Sequence, residues 1–171
     1  MSIESTSVYS FMTKNVKTET EDQNIQSACR IMHQNDIGSI VVVKRDNSND
    51  NYKPTGIITE RDVVRIVGSL DESLLKQPLR ELMSKPLVTI TPNNSLKDAL
   101  QIMQQKNIRR LIIVENERAV GIITNRDLFN VIMNNQNLIP SLLDDKVLVG
   151  QKSPMHDQFG QYWFSDIFPI R

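Results

Sequence analysis

Apolar residues in this chain follow two rhythms, and each rhythm occurs twice. Ile25, Ala28, Cys29 and Met32 recur at the spacing of one helix face, and Leu96, Ala99, Leu100 and Met103 do the same. After each helix comes a short unbroken apolar run, 40–43 and 111–114, which reads as a buried strand. A turn then leads to a second strand, Gly56-Ile57-Ile58 or Gly121-Ile122-Ile123, and a second helix over 61–67 or 126–133. Short β segments at 16–18 and 87–90 precede the first helices. Thr20 with Gln23 three places on has capping-box spacing, and Thr91 precedes Pro92, a residue suited to the first helical position, so the first helices are predicted to begin there. The predicted order is β-α-β-β-α in each half.

The two halves are copies. Residues 8–43 align with 79–114, pairing Met12 with Met83, Thr18 with Thr89, Ala28 with Ala99, Met32 with Met103 and Ile37 with Ile108. Gly56-Ile57-Ile58-Thr59 then matches Gly121-Ile122-Ile123-Thr124, and Arg61-Asp62 matches Arg126-Asp127. The alignment shifts between these blocks because the first copy carries a longer loop, Asp46 to Pro54, where the second has Glu115 to Arg118; surface loops absorb such insertions at small entropic cost. A unit this small cannot bury its own apolar face, so the two are expected to pack sheet to sheet, an α/β (α+β) fold. The expected organisation is a first repeat over 8–70, a second over 79–134 and a C-terminal extension over 135–171.

Three features present twice resemble the CBS domain, named after cystathionine β-synthase: the Met-Thr or Met-Ser start (Met12-Thr13, Met83-Ser84), the apolar strand, and Gly-Ile-Ile-Thr-x-Arg-Asp at 56–62 and 121–127. The resemblance implies an intramolecular pair with two clefts related by pseudo-twofold symmetry, further association into a homodimer, and adenine-nucleotide or adenosyl ligands such as AMP, ADP, ATP or S-adenosylmethionine.

The Thr-x-Arg-Asp turns have two readings. Thr59 with Asp62, and Thr124 with Asp127, are close to capping boxes and need no ligand. A strand-to-helix turn is also a natural seat for an anion, and a carboxylate there can accept both hydrogen bonds of a ribose diol. The resemblance implies the second use, with Asp on ribose and Thr near phosphate. It further implies that each cleft joins the turn of one repeat to the first strand and pre-strand turn of the other. One cleft then holds Thr59, Arg61, Asp62, Thr89, Ile108, Arg109 and Arg110. The other holds Thr124, Arg126, Asp127, Thr18, Ile37, Gly38 and Ser39. In the gamma subunit of AMP-activated kinase a basic residue before the strand contacts phosphate. The Arg109-Arg110 cleft is therefore expected to prefer phosphorylated ligands. The cleft near Asp36 is expected to take a neutral or cationic adenosyl compound or to stay empty. The alternative for Arg109 and Arg110 is a solvated surface pair. Lys14 and Lys85 match across the repeats and could line clefts.

Composition narrows the classes. Net charge is zero, so no nucleic-acid footprint or polybasic membrane patch is advertised. No apolar run approaches the ~20 residues that cross a bilayer, and Met1 to Ser10 is polar without a signal-peptide pattern, so a cytoplasmic protein is expected. The single Cys29 aligns with Leu100 and reads as core filler. No metal cluster, nucleophile–base pair or phosphate-binding Gly-rich loop is apparent, and no cofactor or enzymatic activity is expected. Phe159 to Phe164 concentrates the only Trp and several of the few aromatics, and is expected to dock on the module or on a partner. The main alternative to a ligand sensor is a scaffold or dimerisation module whose Thr-x-Arg-Asp turns only cap helices.

Overall fold

The computed structural model describes residues 5–46 and 51–135. The first repeat consists of β1 (Thr18–Thr20), α1 (Ile25–Asn35), β2 (Ser39–Asp46), β3 (Asn51–Thr59) and α2 (Glu60–Gly68). Two short helices, α3 (Glu72–Lys76) and α4 (Leu79–Leu82), lead into the second: β4 (Thr89–Ile90), α5 (Leu96–Lys106), β5 (Arg110–Glu115), β6 (Arg118–Thr124) and α6 (Asn125–Asn134). Each repeat carries a three-stranded sheet, β1-β2-β3 or β4-β5-β6, with the first pair parallel and the second antiparallel. The β-α-β-β-α order matches the one predicted.

The first helices start later than predicted. The N-caps are Asn24, whose side chain accepts from Ser27 N–H, and Ser95, which forms a reciprocal capping box with Asp98. Thr20 ends β1 instead, and Thr91 closes a turn onto Asn94 Oδ1 through both its N–H and its hydroxyl. Both helices end on a left-handed residue at equivalent positions, Asp36 (φ 51°) and Asn107 (φ 50°), the C-terminal stop that Asn and Asp tolerate. Asp36 is thus spent on ending α1.

The hairpin insertion is shorter than the predicted loop. β2 runs to Asp46 and β3 begins at Asn51, so residues 51–54 are strand. Pro54 stands opposite Val43 on edge strand β3, at a register shift where a missing N–H does no harm. The lengthened arm reaches the other repeat: Lys53 Nζ lies 2.7 Å from Glu117 Oε1, and Arg118 Nε donates to Asn51 Oδ1 at 2.6 Å.

The apolar strand runs bury both faces. Ile40 and Val42 enter the core of the first repeat, while Val41 and Val43 meet Ile112 in a separate cluster at the seam between sheets. Leu111 and Ile113 likewise face the second core. A strand buried on both sides needs no polar alternation. The sheets pack together through this seam, flanked by Ile57, Ile122, Val16 and Leu87.

The segments leading into the repeats are exchanged. Val8 and Met12 lie in the second core with Leu96, Leu111 and Leu128, while Leu79 and Leu82 lie in the first with Ile25, Ile40 and Ile66. Thr13 exchanges backbone hydrogen bonds with Ile122, and Ser84 with Ile57. Two glycines make this possible: a Cβ on Gly56 would collide with Met83 Sδ, and one on Gly121 with Met12 Sδ. Among the described residues no helix is long and apolar enough to cross a membrane. The C-terminal extension, with its Phe159 to Phe164 segment, lies outside the described residues.

Candidate functional site

Strand β3 delivers Thr59 to the N-cap of α2, and Asp62 falls at the third helical position. Asp62 Oδ2 accepts from Thr59 N–H at 2.9 Å and from Thr59 Oγ1 at 2.7 Å. Thr124 and Asp127 repeat this at α6, at 2.8 and 2.7 Å. Capping is therefore one role of both turns, and it uses only one oxygen of each carboxylate. The other oxygens differ. Asp62 Oδ1 accepts from Arg65 Nη2 at 3.2 Å and from Ser84 Oγ at 3.3 Å. Asp127 Oδ1 has no hydrogen-bond partner among the described residues.

The backbone joins each Thr-x-Arg-Asp turn to the pre-strand turn of its own repeat. Ser39 stands opposite Thr59 and Gly38 C=O accepts from Glu60 N–H at 3.1 Å; Arg110 stands opposite Thr124 and Arg109 C=O accepts from Asn125 N–H at 3.0 Å. By backbone, the neighbour of each turn is thus the pre-strand turn of its own repeat, in addition to the cross-repeat partners expected above. Strands β2 and β3 form an antiparallel hairpin, so the start of one must neighbour the end of the other. Arg109 and Arg110 are accordingly beside Thr124. Arg110 still reaches across: its guanidinium lies 3.7 Å from Glu60, over Gly38, where any Cβ would crowd both groups.

The remaining predicted residues keep to the same ends of the sheets. Thr18 and Thr89 are exposed at the heads of β1 and β4, opposite Val41 and Ile112. Ile37 and Ile108 pack on the cores of their own repeats. Arg61 and Arg126 are exposed on the first turns of α2 and α6.

Besides Arg110, the opposite repeat contributes its leader segment. Ser84 reaches Asp62, and with Arg65 and Lys85 it lines an open cleft of about 460 Å³ between α2 and that leader. Arg65 is the residue sequence reasoning missed; its spacing of three from Asp62 on a helix was the available signal. A smaller hollow of about 370 Å³ lies between α1 and α2, lined by Cys29, His33, Asp36 and Glu60 among others. Burial pushes the Cys29 thiol up, which disfavours the reactive thiolate. Among the described residues no group of His, Cys, Asp and Glu could hold a metal ion.

A duplicated β-α-β-β-α unit, locked by exchanged leaders and carrying one Thr–Asp turn per copy, defines a tandem-repeat module. The chain belongs to the CBS domain family, which matches residues 8–69 and 79–134. It is 37% identical over 132 residues to the CBS domain-containing protein YhcV of Bacillus subtilis, covering 77% of this chain and 89% of that protein. It is 32% identical over 139 residues to the protein MJ1404 of Methanocaldococcus jannaschii, covering 74% of this chain but only 32% of that longer one. Among solved structures it is similar to the CBS-domain protein ATU1752 of Agrobacterium tumefaciens (TM-score 0.62, 29% identity, 74% of this chain and 92% of that one). The CBS domain pair of MJ0100, solved with 5-methylthioadenosine and S-adenosyl-L-methionine, shares the fold (TM-score 0.65, 23% identity, 75% of this chain and 97% of that one).

Proposed function

We propose that the protein is a regulatory sensor that binds an adenine nucleotide or adenosyl compound, AMP, ADP or ATP foremost, at its Thr-x-Arg-Asp turns. The observation that carries this reading is the division of labour within each Asp. In each, one oxygen alone holds the helix cap, and at Asp127 the other has no partner among the described residues, which a pure cap does not require. A leftover carboxylate oxygen beside a helix N-terminus suits a ribose diol on one side and a phosphate on the other. Arg110, opposite Thr124 in the second repeat, rests against Glu60 of the first, so a ligand that engages Arg110 is able to bias the arrangement of the repeats, provided it binds one arrangement better. The ligands of the similarly folded MJ0100 pair belong to the same chemical class.

The sensor is non-catalytic, cytoplasmic and homodimeric in this reading. The dimer rests on exposed apolar side chains of the second helices: Val64 (71% exposed) and Val67 on α2, and Phe129, which matches Val64, and Met133 on α6. A second reading, a scaffold without a ligand, is favoured by one observation: both capping boxes are complete as they stand. A thermal-shift panel of AMP, ADP, ATP, S-adenosylmethionine and 5-methylthioadenosine separates the two. Ligand at a hundred times its Kd stabilises by about 2.7 kcal/mol, several degrees for a chain of this size. No shift with any of the five leaves the scaffold.

A further inference from the structure

We propose that only the second repeat binds ligand in the native protein, and that Arg65 is an internal plug that keeps the Asp62 site closed. The inference rests on the reading of Asp62 and Asp127 as ribose acceptors. A carboxylate offers about four lone-pair positions. At Asp62 all four are taken: Thr59 N–H and Oγ1 on Oδ2, Arg65 Nη2 and Ser84 Oγ on Oδ1. At Asp127 the two on Oδ2 are taken by Thr124 and the two on Oδ1 have no partner among the described residues. A cis-diol brings two O–H donors. They find two open positions at Asp127, and at Asp62 they must first displace a guanidinium and a hydroxyl.

The repeats differ at the responsible position. Arg65 aligns with Asn130, one turn after each Asp, and Asn130 supplies no charge. The shared cations do not distinguish the sites, because Arg61 matches Arg126 and Lys85 matches Lys14. Of the unshared ones, Arg109 and Arg110 join the backbone beside Thr124, where the first repeat has Gly38 and Ser39, and the Arg110 guanidinium turns from there toward Glu60. Arg110 pairs at 3.7 Å with a Glu60 side chain that is 71% exposed, and a phosphate competes well against such a surface pair, whereas Arg65 pairs at 3.2 Å with an Asp62 side chain that is 11% exposed. The ligand class is therefore a phosphorylated adenosyl compound at Thr124, Asp127, Arg109 and Arg110.

Isothermal titration of the full chain with AMP, checked for folding by circular dichroism, tests this. Wild type is expected to bind one AMP per chain. Asp127→Asn, which keeps an acceptor oxygen for the cap, is expected to weaken binding about tenfold or more. Arg65→Asn, which copies the second repeat, is expected to raise the stoichiometry to two, and Arg65→Asn with Asp62→Asn to return it to one. Two AMP per wild-type chain, full binding in Asp127→Asn, or a stoichiometry of one in Arg65→Asn overturns the plug while leaving the sensor intact. No heat from AMP or 5-methylthioadenosine in wild type and Arg65→Asn alike overturns the sensor reading beneath it.

Discussion

At the scale of single residues, the same four-letter turn does different work in the two repeats because of its neighbours. Asp62 is 7% exposed and fully bonded, whereas Asp127 keeps an oxygen in reserve. The motif and its two candidate roles were legible in the sequence; the saturation of Asp62 was not, because Ser84 reaches it from 22 positions away. The glycines of the same motif carry a steric demand. Gly121→Ala places a methyl group against Met12 Sδ and is expected to cost about 1–3 kcal/mol in urea unfolding, with Met12→Ala partly relieving it. An unchanged midpoint would mean that the leader is not seated on β6.

At the scale of elements, the order of helices and strands followed from apolar spacing, and the helix starts did not. Thr20 and Thr91 offered cap-like spacing, but turns consumed them, and the working caps lie four residues on at Asn24 and Ser95. Ser95 with Asp98 was itself a readable capping box. Its energetics give a pH prediction. The hydrogen bond from Ser95 N–H holds the Asp98 carboxyl below the usual carboxylate range. A depressed folded value means that the contribution is complete above the unfolded value and is lost as pH falls through the folded one. Thermal unfolding from pH 6 down to 2 is therefore expected to show a smaller acid loss in Asp98→Asn than in wild type. Equal losses would contradict that role. The hairpins taught a second lesson. An antiparallel pair brings its two ends together, so the backbone of Arg109 and Arg110 lies beside Thr124 while the Arg110 guanidinium reaches Glu60 next to Thr59.

At the scale of the whole molecule, the exchanged leaders make the two repeats a single folding unit. The internal repeat announced the pairing, but nothing local announced that Leu79 and Leu82 complete the first core while Val8 and Met12 complete the second. A fragment of residues 8–69 lacks the side chains that close its own core and is expected to show no cooperative unfolding transition, whereas the full chain shows one. A fragment with its own sharp transition would contradict the exchange. The same architecture links site to signal. Arg110 of the second repeat rests against Glu60 of the first over Gly38, so a phosphate that draws Arg110 away loosens a contact between the repeats.

The most direct test of the account is whether the Thr-x-Arg-Asp carboxylates bind a ligand at all. Titration calorimetry of AMP into the wild-type chain and into Asp62→Asn/Asp127→Asn answers it. The account predicts saturable heat in wild type and its loss in the double variant with the fold intact by circular dichroism. Equal heat in the two proteins, or none in wild type, would contradict it.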